Sequence, residues 1–182
     1  VLLFIRLERL TPVLRQKNAT FVAANTTNIL FFRSTMSKVR AKKALGQHFL
    51  TNPSVARAIA ESVLSWRDIP ILEIGPGMGM LTKELLDLGL EVYALEIDTE
   101  SVEYLQHNFS WFAQGEHLTE GDILKFPADE LIPGQPQTPF VLIGNYPYNI
   151  SSQIFFRLLE LRDRVPCCAG MLQKEVAERL TA

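Results

Sequence analysis

The chain has 182 residues, 47% of them hydrophobic, and a formal net charge of -2. This length suggests one domain with a sizeable core, and the charge by itself favours no class of partner. No apolar run reaches the roughly 18 residues of a membrane-spanning helix, so we expect no membrane partner. The two cysteines, Cys167 and Cys168, are adjacent, and no Cys/His spacing resembles a zinc site. We therefore expect buried thiols in a reducing compartment and no bound metal.

Residues 1–35 differ in composition from the rest of the chain. Glu8 is their only acidic residue, among several arginines and many threonines and asparagines. This composition fits an organellar transit peptide, which would place the protein in mitochondria, whereas a start of translation at Met36 would leave it in the cytoplasm. We favour the start at Met36. We expect residues 1–35 to be an extension outside the fold and residues 36–182 to form the domain.

A basic run without an intervening acid follows this segment, and its members are Arg33, Lys38, Arg40, Lys42 and Lys43. Such a run is often only a solvated, mobile segment, but it is also the usual footprint of a nucleic-acid backbone. Lys38, Arg40, Lys42 and Lys43 are therefore our candidates for contacts with RNA phosphates.

The remaining sequence alternates predicted helices and strands. Asn52 caps a first helix with Pro53 at its first position. Strands follow at 70–74, 91–96, about 117–119, 140–143 and 166–172, with helices at about 81–88, 101–109, after a capping Ser151 or Ser152, and from 174 to 180. In the helix after residue 152, the side chains expected to face the core are Ile154, Phe155, Leu158, Leu159 and Leu161. The alternation predicts a doubly wound α/β domain whose ligands bind at the carboxyl ends of the strands. Because only five strands are visible, we expect the domain to be incomplete as given.

A glycine-rich turn joins the first of these strands to its helix, with glycines at 75, 77 and 79. Strand, glycine turn and helix is the context of a nucleotide-binding loop, although another nucleotide binder or a plain tight turn would also fit. The spacing is G-x-G-x-G, which differs from the G-x-G-x-x-G of a pyrophosphate site. We expect Glu73 to place a carboxylate beside the loop, where it suits a cationic or amino-bearing ligand.

Two acidic residues end the next two strands. Glu96 lies 17 positions after Gly79, where a carboxylate accepts hydrogen bonds from ribose hydroxyls, a geometry that would also fit NAD. Asp122 is placed to accept from an adenine amino group. Either acid alone could be a solvated strand end or a helix cap, but together with the glycine loop they favour a nucleoside-containing cofactor.

The tetrapeptide Asn145-Tyr-Pro-Tyr148 favours methyl transfer to the amino nitrogen of a base. Hydride transfer does not require this tetrapeptide. The adenine N6 lone pair is delocalised, and the Asn145 side-chain oxygen with the Tyr146 carbonyl could accept both N6–H bonds and favour a pyramidal nitrogen. Pro147 stiffens the turn, and Tyr148 offers a face for stacking an extruded base. The alternative is a simple Asn-x-Pro turn before a helix.

Six motifs, in this order, resemble the ribosomal RNA adenine-N6,N6-dimethyltransferases of the kasugamycin-sensitivity type, over about residues 40–182. They are Gly46-Gln-His-Phe-Leu50, Glu73-Ile-Gly-Pro-Gly-Met-Gly79, Leu95-Glu-Ile-Asp98, Gly121-Asp122, Gly144-Asn-Tyr-Pro-Tyr-Asn-Ile-Ser151 and Met171-Leu-Gln-Lys-Glu175. The resemblance implies a class I, Rossmann-like methyltransferase fold that uses S-adenosylmethionine. The cofactor contacts that it implies are Gln47, His48, Leu50, Gly75, Gly77, Glu96, Asp122 and Asn145. The catalytic residues that it implies are Asn145, Pro147 and Tyr148.

The implied substrate is a pair of adjacent adenines near the 3′ end of 16S rRNA, each methylated twice, in the pre-ribosomal small subunit. The implied protein is a cytoplasmic monomer. Two positions depart from the family, His48 in place of asparagine and Tyr146 in place of an aliphatic residue, and both could act through main-chain atoms. The family also continues with two strands, a phenylalanine–proline motif and a helical RNA-binding domain that this chain does not include.

Two alternatives to this function stay open. The first is a large-subunit rRNA methyltransferase of the macrolide-resistance type, which shares these motifs; the Asn-Ile-Ser after Tyr148 and the stretch from Met171 to Glu175 favour the small-subunit enzyme. The second is a catalytically silent, nucleic-acid-binding relative, against which the intact Asn145, Pro147 and Tyr148 argue.

Overall fold

A computed structural model describes residues 2–6, 20–24, 50–147 and 150–172. Its strands are β1 (Leu2–Arg6), β2 (Thr20–Ala24), β3 (Ile71–Ile74), β4 (Val92–Glu96), β5 (Leu118–Glu120), β6 (Val141–Asn145) and β7 (Cys167–Met171). Its α-helices are α1 (Pro53–Glu61), α2 (Met80–Asp87), α3 (Thr99–Asn108) and α4 (Ser151–Glu160). The helix expected at 174–180 lies outside the described residues.

All strands form one sheet in the order β2-β1-β7-β6-β3-β4-β5. The five strands from β3 to β7 are parallel to one another, which confirms the doubly wound α/β fold predicted from the alternation of elements. Strand order reverses between β3 and β6, the place where such sheets bind ligands. Ile74 pairs with Gly144 there, so the glycine loop and the Asn145 turn begin side by side.

The core lies on both faces of this sheet. Helices α1, α2 and α3 pack on one face, through apolar side chains such as Ile59, Leu85 and Leu105. Helix α4 and the segment between β5 and β6 cover the other face. All four residues of β3 and all five of β4 are buried, as expected for parallel strands with helices on both sides.

The structure differs from our expectation for residues 1–35 by including two of their segments in the sheet. β1 pairs antiparallel with β7, from Leu2 opposite Met171 to Arg6 opposite Cys167, and β2 pairs antiparallel with β1. The physical reason lies in β7, whose outer edge offers unpaired N–H and C=O groups to any extended apolar segment. A start of translation at Met36 stays a prediction.

Local signals in the sequence placed most element ends to within two residues. Asn52 caps α1 as predicted, its Oδ1 accepting from the Ser54 N–H at 3.0 Å. The predicted serine cap of α4 is wrong, because the helix already begins at Ser151 and its N-cap residue, Ile150, makes no side-chain capping bond. The prediction that Leu159 faces the core is also wrong, because its side chain is 52% exposed. Leu159 follows the buried Leu158 by one position and therefore lies about 100° around the helix from it.

Candidate active site

The glycine loop connects β3 to α2 as the sequence predicted. The Gly75 N–H donates to the Leu95 carbonyl at 2.9 Å, which continues the pairing of β3 with β4 beyond the last strand residue. Gly79 is the N-cap of α2 with a φ of 76°, and a Cβ there would lie 2.4 Å from the Phe109 ring. Only glycine meets both conditions, so this residue sets how closely the start of α2 can approach the end of α3, where Phe109 is the C-cap.

Glu96 ties the end of β4 to the glycine loop. Its Oε1 accepts from the N–H groups of Ile97 at 2.9 Å and Asp98 at 3.0 Å, and its Oε2 accepts from the Gly77 N–H at 3.0 Å. The residue is 2% exposed, and burial raises the pKa of its carboxyl while the three N–H donors oppose that rise. A carboxylate has about four lone-pair sites, so Oε2 can still accept one more hydrogen bond.

Glu73 does not lie beside the loop as we expected. It is the third residue of β3, it is buried, and its Oε2 accepts from the Thr82 hydroxyl at 2.7 Å. Burial raises the pKa of Glu73 to about 8, with Thr82 opposing the shift and Glu96 adding to it. Because Thr82 is in the first turn of α2, Glu73 holds this helix beneath the loop and is not placed to attract a ligand through its charge.

Asp122 follows β5 and closes a turn with its own side chain. Its Oδ1 accepts from the Leu124 N–H at 3.0 Å, and its main-chain carbonyl accepts from Lys125 and Phe126 at 2.9 and 2.8 Å. The neighbouring Gly121 N–H donates to the Glu96 carbonyl at 2.8 Å, which brings this turn next to the end of β4. The Asp122 side chain is partly exposed, and its Oδ2 lies 3.7 Å from the Lys125 ammonium.

Asn145 is the last residue of β6 and pairs with Met171 of β7. The next side chain, Tyr146, is buried below it: its hydroxyl donates to the Ala169 carbonyl at 2.8 Å and lies 3.2 Å from the Cys168 sulfur. Its ring fits only because position 170 is glycine, where a Cβ would lie 2.7 Å from the ring. The side chain of Tyr146 therefore anchors the turn, and only its main chain is available to a ligand.

The structure brings together five of the predicted site residues along the carboxyl edge of the sheet, namely Gly75, Gly77, Glu96, Asp122 and Asn145. Leu50 packs, half-buried, against the core beside α1, α2 and α3, and Pro147 follows the buried Tyr146. The predicted contacts Gln47, His48 and Tyr148, together with the basic residues at 38–43, lie outside the described residues.

One residue at this edge, Ile97, was not predicted as a site residue from the sequence. Ile97, directly after Glu96, is 47% exposed, although it continues the apolar run of β4. An exposed aliphatic side chain next to a buried carboxylate offers a surface on which a flat ring can lie. The available signal was its position directly after Glu96, at the carboxyl end of a strand where such sheets bind ligands.

Solved structures share this fold. The 23S rRNA methyltransferase ErmE matches with a TM-score of 0.57 at 30% identity, over 71% of this chain and 49% of that one. A dimethyladenosine transferase from Plasmodium falciparum matches with a TM-score of 0.53 at 32% identity, over 74% and 46%. The parallel sheet, the glycine loop and the strand-end acids accordingly define a class I methyltransferase fold, as the sequence predicted.

The family follows from a match to residues 38–182. This stretch fits the family of ribosomal RNA adenine dimethylases, and the chain belongs to that family. The ribosomal RNA small subunit methyltransferase A of Porphyromonas gingivalis is 55% identical over 147 residues, which are 81% of this chain and 55% of that protein. The protein of the same name from Flavobacterium johnsoniae is 50% identical over 145 residues, 80% of this chain and 54% of its own length.

This chain thus spans about half the length of the curated relatives that it matches. Among the residues that the structure describes, no helix combines the length and the hydrophobicity of a transmembrane span.

Proposed function

We propose that this chain is the methyltransferase domain of an enzyme that dimethylates two adjacent adenines at N6 near the 3′ end of small-subunit rRNA. The observation that carries the proposal is the meeting of Gly77, Glu96, Asp122 and Asn145 at one edge of the sheet, in a chain of the rRNA adenine dimethylase family. The pre-ribosomal small subunit is then the partner, and a cytoplasmic monomer is the form we expect.

The residues at this edge fit S-adenosylmethionine. The remaining lone pair of Glu96 Oε2 can accept from a ribose hydroxyl, and Asp122 Oδ2 can accept from the adenine amino group. The half-exposed Ile97, directly after Glu96, can support the adenine ring. Gly75 and Gly77 present main chain without side chains, which permits close approach of the amino-acid part. The bound cofactor supplies an electrophilic methyl group on a sulfonium.

The target adenine would be held by the turn after β6. The carboxamide oxygen of Asn145 and the carbonyl of Tyr146 accept from N6–H, which draws the nitrogen toward a pyramidal geometry and frees its lone pair for in-line attack. Burial of the Tyr146 side chain against Ala169 fixes this turn on β7, so the two acceptors are held in place before the substrate binds. Such preorganisation and the exclusion of water supply most of the rate in this chemistry.

The second candidate function is methylation of large-subunit rRNA, and the similarity to the 23S rRNA methyltransferase ErmE supports it. Identities of 50% and more with the named small-subunit enzymes, against 30% with that structure, favour the small subunit.

The test is methyl transfer from labelled S-adenosylmethionine by the full-length protein to small and large ribosomal subunits that lack the modification. We expect label in small-subunit rRNA only, at two adjacent adenines mapped by primer extension. Label confined to large-subunit rRNA would establish the second candidate. RNA binding without any transfer would indicate a silent relative.

A further inference from the structure

Helix α4 carries an arginine that contacts the end of the Asp122 turn, on the same face of the sheet. Arg157 Nη2 donates to the Phe126 carbonyl at 2.6 Å, and its Nη1 donates to Glu160 at 2.7 Å on its own helix. The side chain is only 17% exposed, and its buried Nε has no acceptor among the described residues. Among the described residues, its hydrogen bonds go to one residue of its own helix and to one carbonyl 31 positions away.

Phe126 is the point at which the Asp122 turn is fixed. Its N–H donates to the Asp122 carbonyl at 2.8 Å, and its carbonyl accepts from Arg157 at 2.6 Å. Its ring lies against Gly121, where a Cβ would be 2.6 Å from the nearest ring carbon. The position of Phe126 is thus coupled to Asp122 through a main-chain hydrogen bond and to Gly121 through the ring contact.

We infer that Arg157 is a positioning residue that aligns the Asp122 carboxylate with the adenine amino group of the cofactor, an inference that rests on the proposed function. A carboxylate accepts from an amino group only within a narrow range of distance and angle. The Arg157 bond fixes the far end of the turn, and the Gly121 bond to Glu96 fixes the near end. Because α4 follows the Asn145 turn directly, one helix then joins the cofactor's adenine site to the target-base site.

A merely structural role for Arg157 is the competing interpretation, and the chain offers a matched control for it. Arg164 holds the later part of the same segment, through the carbonyls of Ala128, Gln135 and Thr138, and lies 5.1 Å above the Phe140 ring. None of these groups belongs to the turn from Gly121 to Phe126. Loss of the Arg164 guanidinium should destabilise the segment between β5 and β6 without changing the orientation of the Asp122 carboxylate.

The experiment measures binding of two cofactor products by calorimetry in the full-length protein. S-adenosylhomocysteine carries the 6-amino group, and S-inosylhomocysteine carries a carbonyl in its place, which a carboxylate repels. We expect the wild type to prefer the amino compound. Arg157→Met should lower the affinity for that compound roughly tenfold, which corresponds to one hydrogen bond to a charged group. The affinity for the inosine compound should stay unchanged. Arg157→Lys should recover part of the preference because its ammonium can donate to the same carbonyl.

Arg164→Met should lower the melting temperature and keep the full preference for the amino compound. The inference would be overturned if Arg157→Met weakened the binding of both compounds equally. It would also be overturned if Arg164→Met lost the preference for the amino compound to the same extent as Arg157→Met. A wild type that binds both compounds equally would overturn it as well. A wild type that binds neither compound would instead refute the proposed function. Should Arg157→Met not fold, Arg157→Gln replaces it under the same criteria.

Discussion

Asn145 is the residue whose effect should fall on the chemical step. Its carboxamide oxygen bonds best to an amino group that is becoming pyramidal and positive, so it contributes more to the transition state than to the ground state. We expect Asn145→Ala to lower the single-turnover rate about 100-fold or more, while RNA affinity stays near normal. Rates from quenched-flow assays and affinities from filter binding separate the two effects. A loss of RNA affinity as large as the loss of rate would contradict this role.

Glu96 should contribute to cofactor binding and to the fold at once. Its carboxylate accepts three main-chain N–H groups and has one site left for a ribose hydroxyl. We expect Glu96→Ala to weaken S-adenosylmethionine binding by roughly 1–3 kcal/mol, because the hydroxyl and the loop N–H lose their acceptor. Calorimetry measures this loss, with NAD as the competing ligand.

Glu120 is the matched control for Glu96. It ends the neighbouring strand β5 and pairs with Glu96 in register, and its carboxylate accepts from the exposed Thr99 hydroxyl at 2.8 Å. Glu120→Ala should leave the cofactor affinity unchanged. Equal weakening by both variants, or binding of NAD without S-adenosylmethionine, would refute the assignment of Glu96.

At the scale of elements, the strand–loop–helix unit of β3 and α2 should respond to pH through Glu73. Burial raises the pKa of this carboxyl from 4.5 to about 8. The fold therefore favours the protonated form, and the stability that this form contributes is fully present below pH 4.5 and is lost as pH rises through about 8. We expect Glu73→Gln, which cannot titrate, to show a flatter fall of the unfolding free energy between those pH values.

Urea denaturation at a series of pH values measures this difference. Thr82→Val is the useful companion variant, because it removes the hydroxyl that bonds to Glu73 and leaves the titrating carboxyl in place. The steep fall should persist in Thr82→Val. Parallel pH profiles for Glu73→Gln and the wild type would show that Glu73 titrates in the fold as it does in the unfolded chain.

Elements of the sheet also explain why the Asn145 turn tolerates a tyrosine at position 146. The ring occupies the space above Gly170 and Gly144, which pair in register on β7 and β6, and the hydroxyl has an acceptor in Ala169. A buried hydroxyl with a partner avoids the cost of an unsatisfied polar group. The large aromatic residue at position 146 is thus matched by a glycine 24 positions later.

At the scale of the whole molecule, the basic run before residue 44 should set the salt dependence of RNA binding. Lys38, Arg40, Lys42 and Lys43 precede the stretch from Gln47 to Leu50 that the family resemblance assigns to the cofactor. Replacing all four by glutamine should weaken RNA binding and flatten the slope of log affinity against log salt, because fewer counterions are released. Cofactor affinity should change little. An unchanged slope would mean that the run is only a solvated segment.

Much of the fold could be predicted from local sequence patterns, because each of these patterns depends only on residues that are neighbours in the chain. Asn52 followed by Pro53 marks a helix start, and G-x-G-x-G between an apolar run and a helical one marks a loop. Alternating elements of this kind leave few topologies beyond a parallel, doubly wound sheet. The candidate site residues Glu96, Asp122 and Asn145 followed from the same logic, since each lies at or just after the end of a strand, and the carboxyl ends of parallel strands lie at one edge.

The sequence by itself therefore determined the fold class, the edge at which the site lies and the family of the protein. Tertiary structure alone decided that Glu73 faces Thr82 beneath the loop, that Tyr146 enters the core, that Arg157 reaches the carbonyl of Phe126, and that β1 joins the edge of β7. The physical reason is that these contacts join residues far apart in the chain. They depend on strand register and on which face of a strand or helix each side chain occupies, and neither follows from local propensity.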